Sequence, residues 1–139
     1  MRATIEATTA RLGLQGRVIM AGARKNEELP AWYAAADIMC LASSKEGWAN
    51  VLLESLACGT PVVATNVWGT PEVINSPELG VLVDRTPESI ADGLERALNT
   101  SWNKERLVSY AGQHSWLDVA TRVEASYRVA ITHFRTSRS

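Results

Sequence analysis

Glu46 and Glu54 stand with seven residues between them, and the stretch they bracket runs Gly47-Trp48-Ala49-Asn50-Val51-Leu52-Leu53. Two carboxylates so placed could work on a glycosidic bond as acid and nucleophile. They could also accept hydrogen bonds from sugar hydroxyls beside a bound phosphate. The second chemistry has more support in the residues between them. The amides from about Trp48 to Leu52 open a helix, where unpaired donors and the helix dipole favour an anion. Gly47 and Ala49 are small enough to let a ligand approach that backbone. A carboxylate gains nothing from touching a phosphate, so its task there is to take vicinal hydroxyls, as the ribose-reading acid does in dinucleotide-binding folds. One glutamate on a ribose, one on a second sugar and a diphosphate between them describe a nucleotide sugar. Spacing by itself also fits an exposed helix residue at Glu54 and a solvated loop charge at Glu46.

The elements that must position this stretch follow from patterning. The helix beginning near Asn50 is stopped by Gly59 with Pro61 beyond it, and Pro61 to Thr65 is a short β-branched strand. Upstream, residues 3–14 carry a modest helix signal and are expected to pack. Arg17 to Gly22 reads as a buried strand, and Ala23 to Leu29 as a loop. Pro30 suits the first position of a helix over Ala31 to Ala36, followed by a buried strand from Asp37 to Leu41. Downstream, Gly69 to Ile74 predicts a turn and short helix, and Gly80 to Val83 a fourth strand. Thr86 and Pro87 start an amphipathic helix, Lys104 to Gly112 form a weaker one, and Ser115 to Asp118 make a capping box. Trp116, Ala120, Val123, Tyr127, Ala130, Ile131 and Phe134 then fall on one stripe, which predicts a long helix that must lie on something. Four apolar strands alternating with helices predict an α/β fold, a Rossmann-like parallel sheet covered by helices, in one domain over residues 1–139. Ligands in such sheets sit beyond the carboxyl ends of the strands, here on loops 22–29, 43–50 and 66–71.

Composition narrows the function classes. A net charge of -1 over 139 residues, with both signs scattered, lacks the electrostatic footprint of a nucleic-acid binder. Cys40 and Cys58 lie in apolar runs and read as buried reduced thiols, which suits the cytoplasm. No apolar run has the length of a membrane span, and the opening Met1-Arg2-Ala3-Thr4 has no signal-peptide pattern. His114 and His133 lack metal-ligand spacing, so no metal is expected. Trp32, Trp102 and Trp116 read as core or helix-contact residues, and Asp37 as a structural cap.

The run Glu28-Leu29-Pro30-Ala31-Trp32-Tyr33-Ala34-Ala35-Ala36-Asp37, the run from Ser43 to Ala64, Trp68 to Ile74 and Gly80 to Val83 together resemble the donor-binding domain of group 1 (family 4) glycosyltransferases. The resemblance implies the GT-B architecture of two Rossmann-like domains facing a cleft, and sugar transfer from a nucleotide donor with retention and without a bound metal or other cofactor. It implies that Glu46 is the catalytic-site residue touching hydroxyls of the donor sugar and that Glu54 takes the ribose diol. Gly47 and the amides of Trp48, Ala49 and Asn50 would approach the sugar and phosphates. The loop from Gly22 to Leu29 would border the nucleobase, with Arg24 and Lys25 as polar candidates. Trp48 stands where phenylalanine is usual and would narrow the sugar pocket. Ala49 stands where glycine or proline is common.

The family places two further strands, with a diphosphate-neutralising arginine and lysine, before the part resembling Leu12 to Gly22, and an acceptor-binding domain before those. The chain is therefore expected to be an incomplete GT-B C-terminal domain lacking its first two strands, with Arg24, Lys25 and Lys45 as the loop cations left beside the carboxylates. The gap would either close by direct pairing of the strands at 17–21 and 37–41, or expose a sheet edge to self-association. The expected function is the donor-binding portion of a retaining enzyme of cell-surface polysaccharide or lipid-linked glycan synthesis. It would take a UDP- or GDP-linked sugar, sit in the cytoplasm or at the inner membrane face, and be inactive alone. The alternatives are a non-catalytic nucleotide- or protein-binding module that keeps the fold, and a glycoside hydrolase.

Overall fold

Val62-Val63-Ala64-Thr65 is buried along its whole length, and the rest of the structure is layered on it. The structure is a computed structural model and describes residues 2–136. In chain order its elements are α1 (Arg2–Arg11), a 3-10 turn (Asn26–Glu28), α2 (Leu29–Ala34), β1 (Met39–Leu41), α3 (Asn50–Ala57), β2 (Val62–Thr65), α4 (Thr70–Val73), β3 (Gly80–Val83), α5 (Pro87–Leu98), α6 (Lys104–Gly112) and α7 (Trp116–Thr136). The sheet is parallel in the order β1-β2-β3, with Met39 beside Val62 and Val62 beside Gly80. β2 is central and apolar on both faces because both faces are covered.

On one face Val63 and Val83 meet Ala97 of α5, with Ile90 and Leu94 packed alongside. Gly93 lets α5 approach: a Cβ there would stand 2.4 Å from Cγ1 of Val83. On the other face Leu52 and Leu56 of α3 share a core with Val62, Ala64, Val73, Leu79 and Leu107 of α6. Trp102 touches both clusters and donates its indole N–H to the carbonyl of Ala97 at 2.8 Å, which fulfils its expected core role. The helix ends follow the sequence signals. Thr86 Oγ1 accepts from the Ser89 amide at 3.2 Å, Ser115 Oγ accepts from the Asp118 amide at 3.2 Å, and Gly59 takes φ 75 after α3.

Several expectations are corrected. Residues 17–22 form no strand, so the described sheet has three strands rather than four. A strand needs a neighbour to take its N–H and C=O groups. No described strand lies beside this run, and Val18 and Ile19 are 40% and 80% exposed. Residues 17–21 therefore do not pair with β1, whose outer edge has no described strand on it. α1 buries no residue and does not pack. Cys40 is exposed because β1 is an edge strand, and Cys58 is only half-buried, though both are free thiols as expected. Trp32 is 46% exposed, with the Arg24 guanidinium 4.7 Å from its ring centroid. On α7, Val123, Tyr127 and Ile131 are exposed. The side chain of Trp116 lies outside the described residues.

Candidate functional site

The loop after β1 is tied down at three points before it enters α3. Thr65 Oγ1, at the carboxyl end of β2, donates to the Ser43 carbonyl at 2.7 Å. The Gly69 amide donates to the Glu46 carbonyl at 3.3 Å. Gly69 also lies flat on Gly47, where an added Cβ would fall 1.9 Å from the carbonyl oxygen. The loops after β1 and β2 are thus joined at the carboxyl end of the sheet, with Glu46 half-buried between them.

At the start of α3, Ala49 is buried and Asn50 exposed. The Asn50 amide turns back onto the Trp48 carbonyl at 3.0 Å, which removes it from the donors open to an anion. The Leu52 amide is taken by the Ala49 carbonyl at 3.0 Å, and among the described residues the amides of Trp48, Ala49 and Val51 have no acceptor, so the expected anion-facing set contracts to these three. Their donors and the α3 dipole point out of the same loop.

Glu54 lies one helical turn further on, exposed, and accepts a hydrogen bond from the Tyr33 hydroxyl at 3.1 Å. Tyr33 is a residue that sequence reasoning missed. It belongs to α2, whose end is fastened by Thr60 Oγ1 donating to the Tyr33 carbonyl at 2.7 Å. Burial pushes the Tyr33 phenol up to about 12, with the hydrogen bond to Glu54 and the charges of Glu54 and Cys58 adding to it. The phenol is therefore a fixed donor to the carboxylate. Burial, with the Glu54 charge second, also raises the Cys58 thiol and keeps it protonated.

An open cleft of about 640 Å³ is lined by Trp48, Asn50 and Glu54 at the start of α3 and by His114, Val119 and Arg122 from the turn after α6 and from α7. The Trp48 ring lies 5.8 Å from that of His114, which sits tilted against the Tyr110 ring at 4.7 Å. Tyr110 donates its hydroxyl to the Val73 carbonyl at 2.7 Å, anchoring this aromatic group to the core. Neither His114 nor Arg122 carried a motif in the sequence; only the packing of α6 against α3 and the turn into α7 bring them here.

The structure therefore brings Trp48, Asn50 and Glu54 into one cleft and sets Glu46 and Gly47 on the loop that leads to it. Glu46 itself does not line the cleft. Gly22, Arg24, Lys25 and Leu29 are not brought to it either. Gly22 takes φ 73 in an exposed loop, Arg24 is stacked on Trp32, Lys25 precedes the 3-10 turn, and Leu29 begins α2. Among the described residues no group of three His, Cys, Asp or Glu side chains could hold a metal ion, and no helix is long and apolar enough to cross a membrane.

Residues 1–114 match the family described as glycosyl transferases group 1. The chain is 36% identical over 124 residues to a D-inositol 3-phosphate glycosyltransferase of Corynebacterium diphtheriae, covering 86% of this chain and 29% of that protein. It is 31% identical to an uncharacterized glycosyltransferase of Methanocaldococcus jannaschii, covering 94% of this chain and 35% of the relative. Among solved structures, the sucrose-phosphate synthase from Thermosynechococcus elongatus superposes with a TM-score of 0.76 at 26% identity, over 95% of this chain and 35% of that one. The C-terminal domain of a glycosyl transferase group 1 family protein from Francisella tularensis superposes with a TM-score of 0.63 at 30% identity, over 88% of this chain and 62% of that one. The chain spans about three-tenths of the length of the relatives it matches. It is a portion of a GT-B C-terminal domain, and it belongs to the group 1 glycosyltransferase family.

Proposed function

We propose that this chain is the donor-binding portion of a retaining glycosyltransferase that moves a sugar from a nucleotide sugar to a glycan or lipid-linked acceptor. The observation that carries the reading is Glu54, held by the Tyr33 hydroxyl beside the unpartnered amides of Trp48, Ala49 and Val51 at the head of α3. A carboxylate whose one lobe is already hydrogen-bonded presents the other in a fixed direction. That geometry suits the two hydroxyls of a ribose. The diphosphate then lies over the amides of Trp48 and Ala49, with the donor sugar beyond it near Glu46 on the joined loops. Arg122 lines the same cleft as Glu54 and is the lysine or arginine among its lining residues that can meet phosphate charge.

The chain alone is expected to bind donor weakly without turning it over. NMR titration with UDP and with GDP tests this. The amides from Trp48 to Glu54 should shift saturably at millimolar ligand, and the response should disappear in Glu54→Ala. A silent spectrum in this stretch, with the fold intact, would favour the non-catalytic module.

A further inference from the structure

Trp68 is the one residue other than glycine with a positive φ among the described residues, at 47°, and 72% of it is exposed. The left-handed region is costly for a bulky side chain, and nothing is recovered here by burying the ring. Glycine would meet the backbone demand without strain. The demand itself comes from the next residue. Gly69 must lie on Gly47 and donate to the Glu46 carbonyl, which fixes the turn at position 68.

The ring is consequently carried on the segment that clasps the Glu46 loop. Its neighbour there is Lys45, adjacent in sequence to Glu46, whose ammonium lies 5.8 Å from the ring centroid. A pyranose ring has one surface for an exposed indole and another for a carboxylate. Its hydroxyls spread around the rim and can reach a carboxylate, while its C–H face is apolar and packs flat on an aromatic ring.

We propose that Trp68 is a stacking platform for a pyranose ring whose hydroxyls are taken at Glu46, and that it sets sugar specificity there. The assignment rests on the reading of Glu46 as a sugar-hydroxyl acceptor. The ring is that of the nucleotide sugar or that of an acceptor glycan, and the same contact chemistry serves both.

The indole N–H resonance of Trp68, assigned by its loss in Trp68→Gly, reports the contact directly. The chain is titrated with UDP and GDP, with UDP-glucose, UDP-N-acetylglucosamine and GDP-mannose, and with methyl glucoside and methyl mannoside. Sugar-bearing ligands should move the indole resonance while UDP and GDP leave it unmoved. Trp68→Gly should weaken the responding ligand by about 3- to 10-fold, keep UDP and GDP affinity, and melt no lower than the parent chain. A response confined to nucleotide sugars assigns the ring to the donor, and a response to the glycosides assigns it to the acceptor. If UDP or GDP shifts the amides near Glu54 but no sugar moves the indole, the platform is overturned and the donor site stands. If neither region responds, both fail.

Discussion

The Tyr33 hydroxyl converts Glu54 from an exposed helix carboxylate into an oriented acceptor. Removing it in Tyr33→Phe is expected to weaken UDP or GDP binding by about 3- to 10-fold, the size of one hydrogen bond's net contribution, with little loss of stability; calorimetric titration measures the ratio. The phenol also gives a pH signature. Its pKa in the folded chain is about 12, above the ordinary value of 10. Below pH 10 the proton is held in both folded and unfolded chains, and the contribution is fully present. Between 10 and 12 the unfolded chain releases it first, so stability falls as pH rises and the contribution is gone above 12. The melting temperature of the parent chain should therefore fall relative to that of Tyr33→Phe across that window. An equal gap on both sides of it would deny the phenol's role. At this scale the sequence was half legible. Glu46, Glu54, Gly47 and Ala49 could be picked out because their types and spacing carry chemistry. Tyr33 could not, because its meaning depends on α2 lying against α3.

Elements position the site through close backbone approach. Gly69 and Gly47 face each other in the joined loops, but a Cβ on Gly69 would strike a carbonyl at 1.9 Å whereas one on Gly47 meets nothing within 4 Å. Gly69→Ala is thus expected to cost about 1–3 kcal/mol and to displace the Glu46 loop, while Gly47→Ala should stay within about 0.5 kcal/mol of the parent. Denaturant unfolding of the two variants side by side measures the difference. The packing of α6 on α3 positions His114 and the turn into α7. Leu107 is fully buried in that contact, and Leu107→Ala is expected to cost about 2–5 kcal/mol by the same measurement. Elements whose burial is supplied by near neighbours in sequence were readable: β2, β3, α5 and the capped starts of α5 and α7 stand where the pattern put them. The apolar run at 17–22 was misread because apolar content states a need for burial, and burial requires a strand alongside.

Across the whole molecule, order is concentrated around β2. α1 and the run through Gly22 bury no residue, while β2 is closed on both faces and both edges. Amide exchange should follow this division, fastest over residues 2–25 and slowest at Val62 to Thr65. Equal protection of the two regions would contradict the fold's organisation. The stripe on α7 and the edge of β1 were both legible as surfaces wanting cover. What lies over them is not written in these residues, because a pattern of side chains specifies an appetite for contact and leaves the partner open.

The claim at the centre is a division of labour between two carboxylates: Glu54 for the nucleoside, Glu46 for the transferred sugar. The direct measurement is the affinity of UDP against UDP-glucose, and of GDP against GDP-mannose, for Glu54→Gln and Glu46→Gln. Glu54→Gln should weaken both members of the responding pair by the same factor. Glu46→Gln should leave the nucleoside diphosphate unchanged and remove the increment that the sugar adds. Equal losses for both ligands in Glu46→Gln, or unchanged affinities in Glu54→Gln, would contradict the assignment.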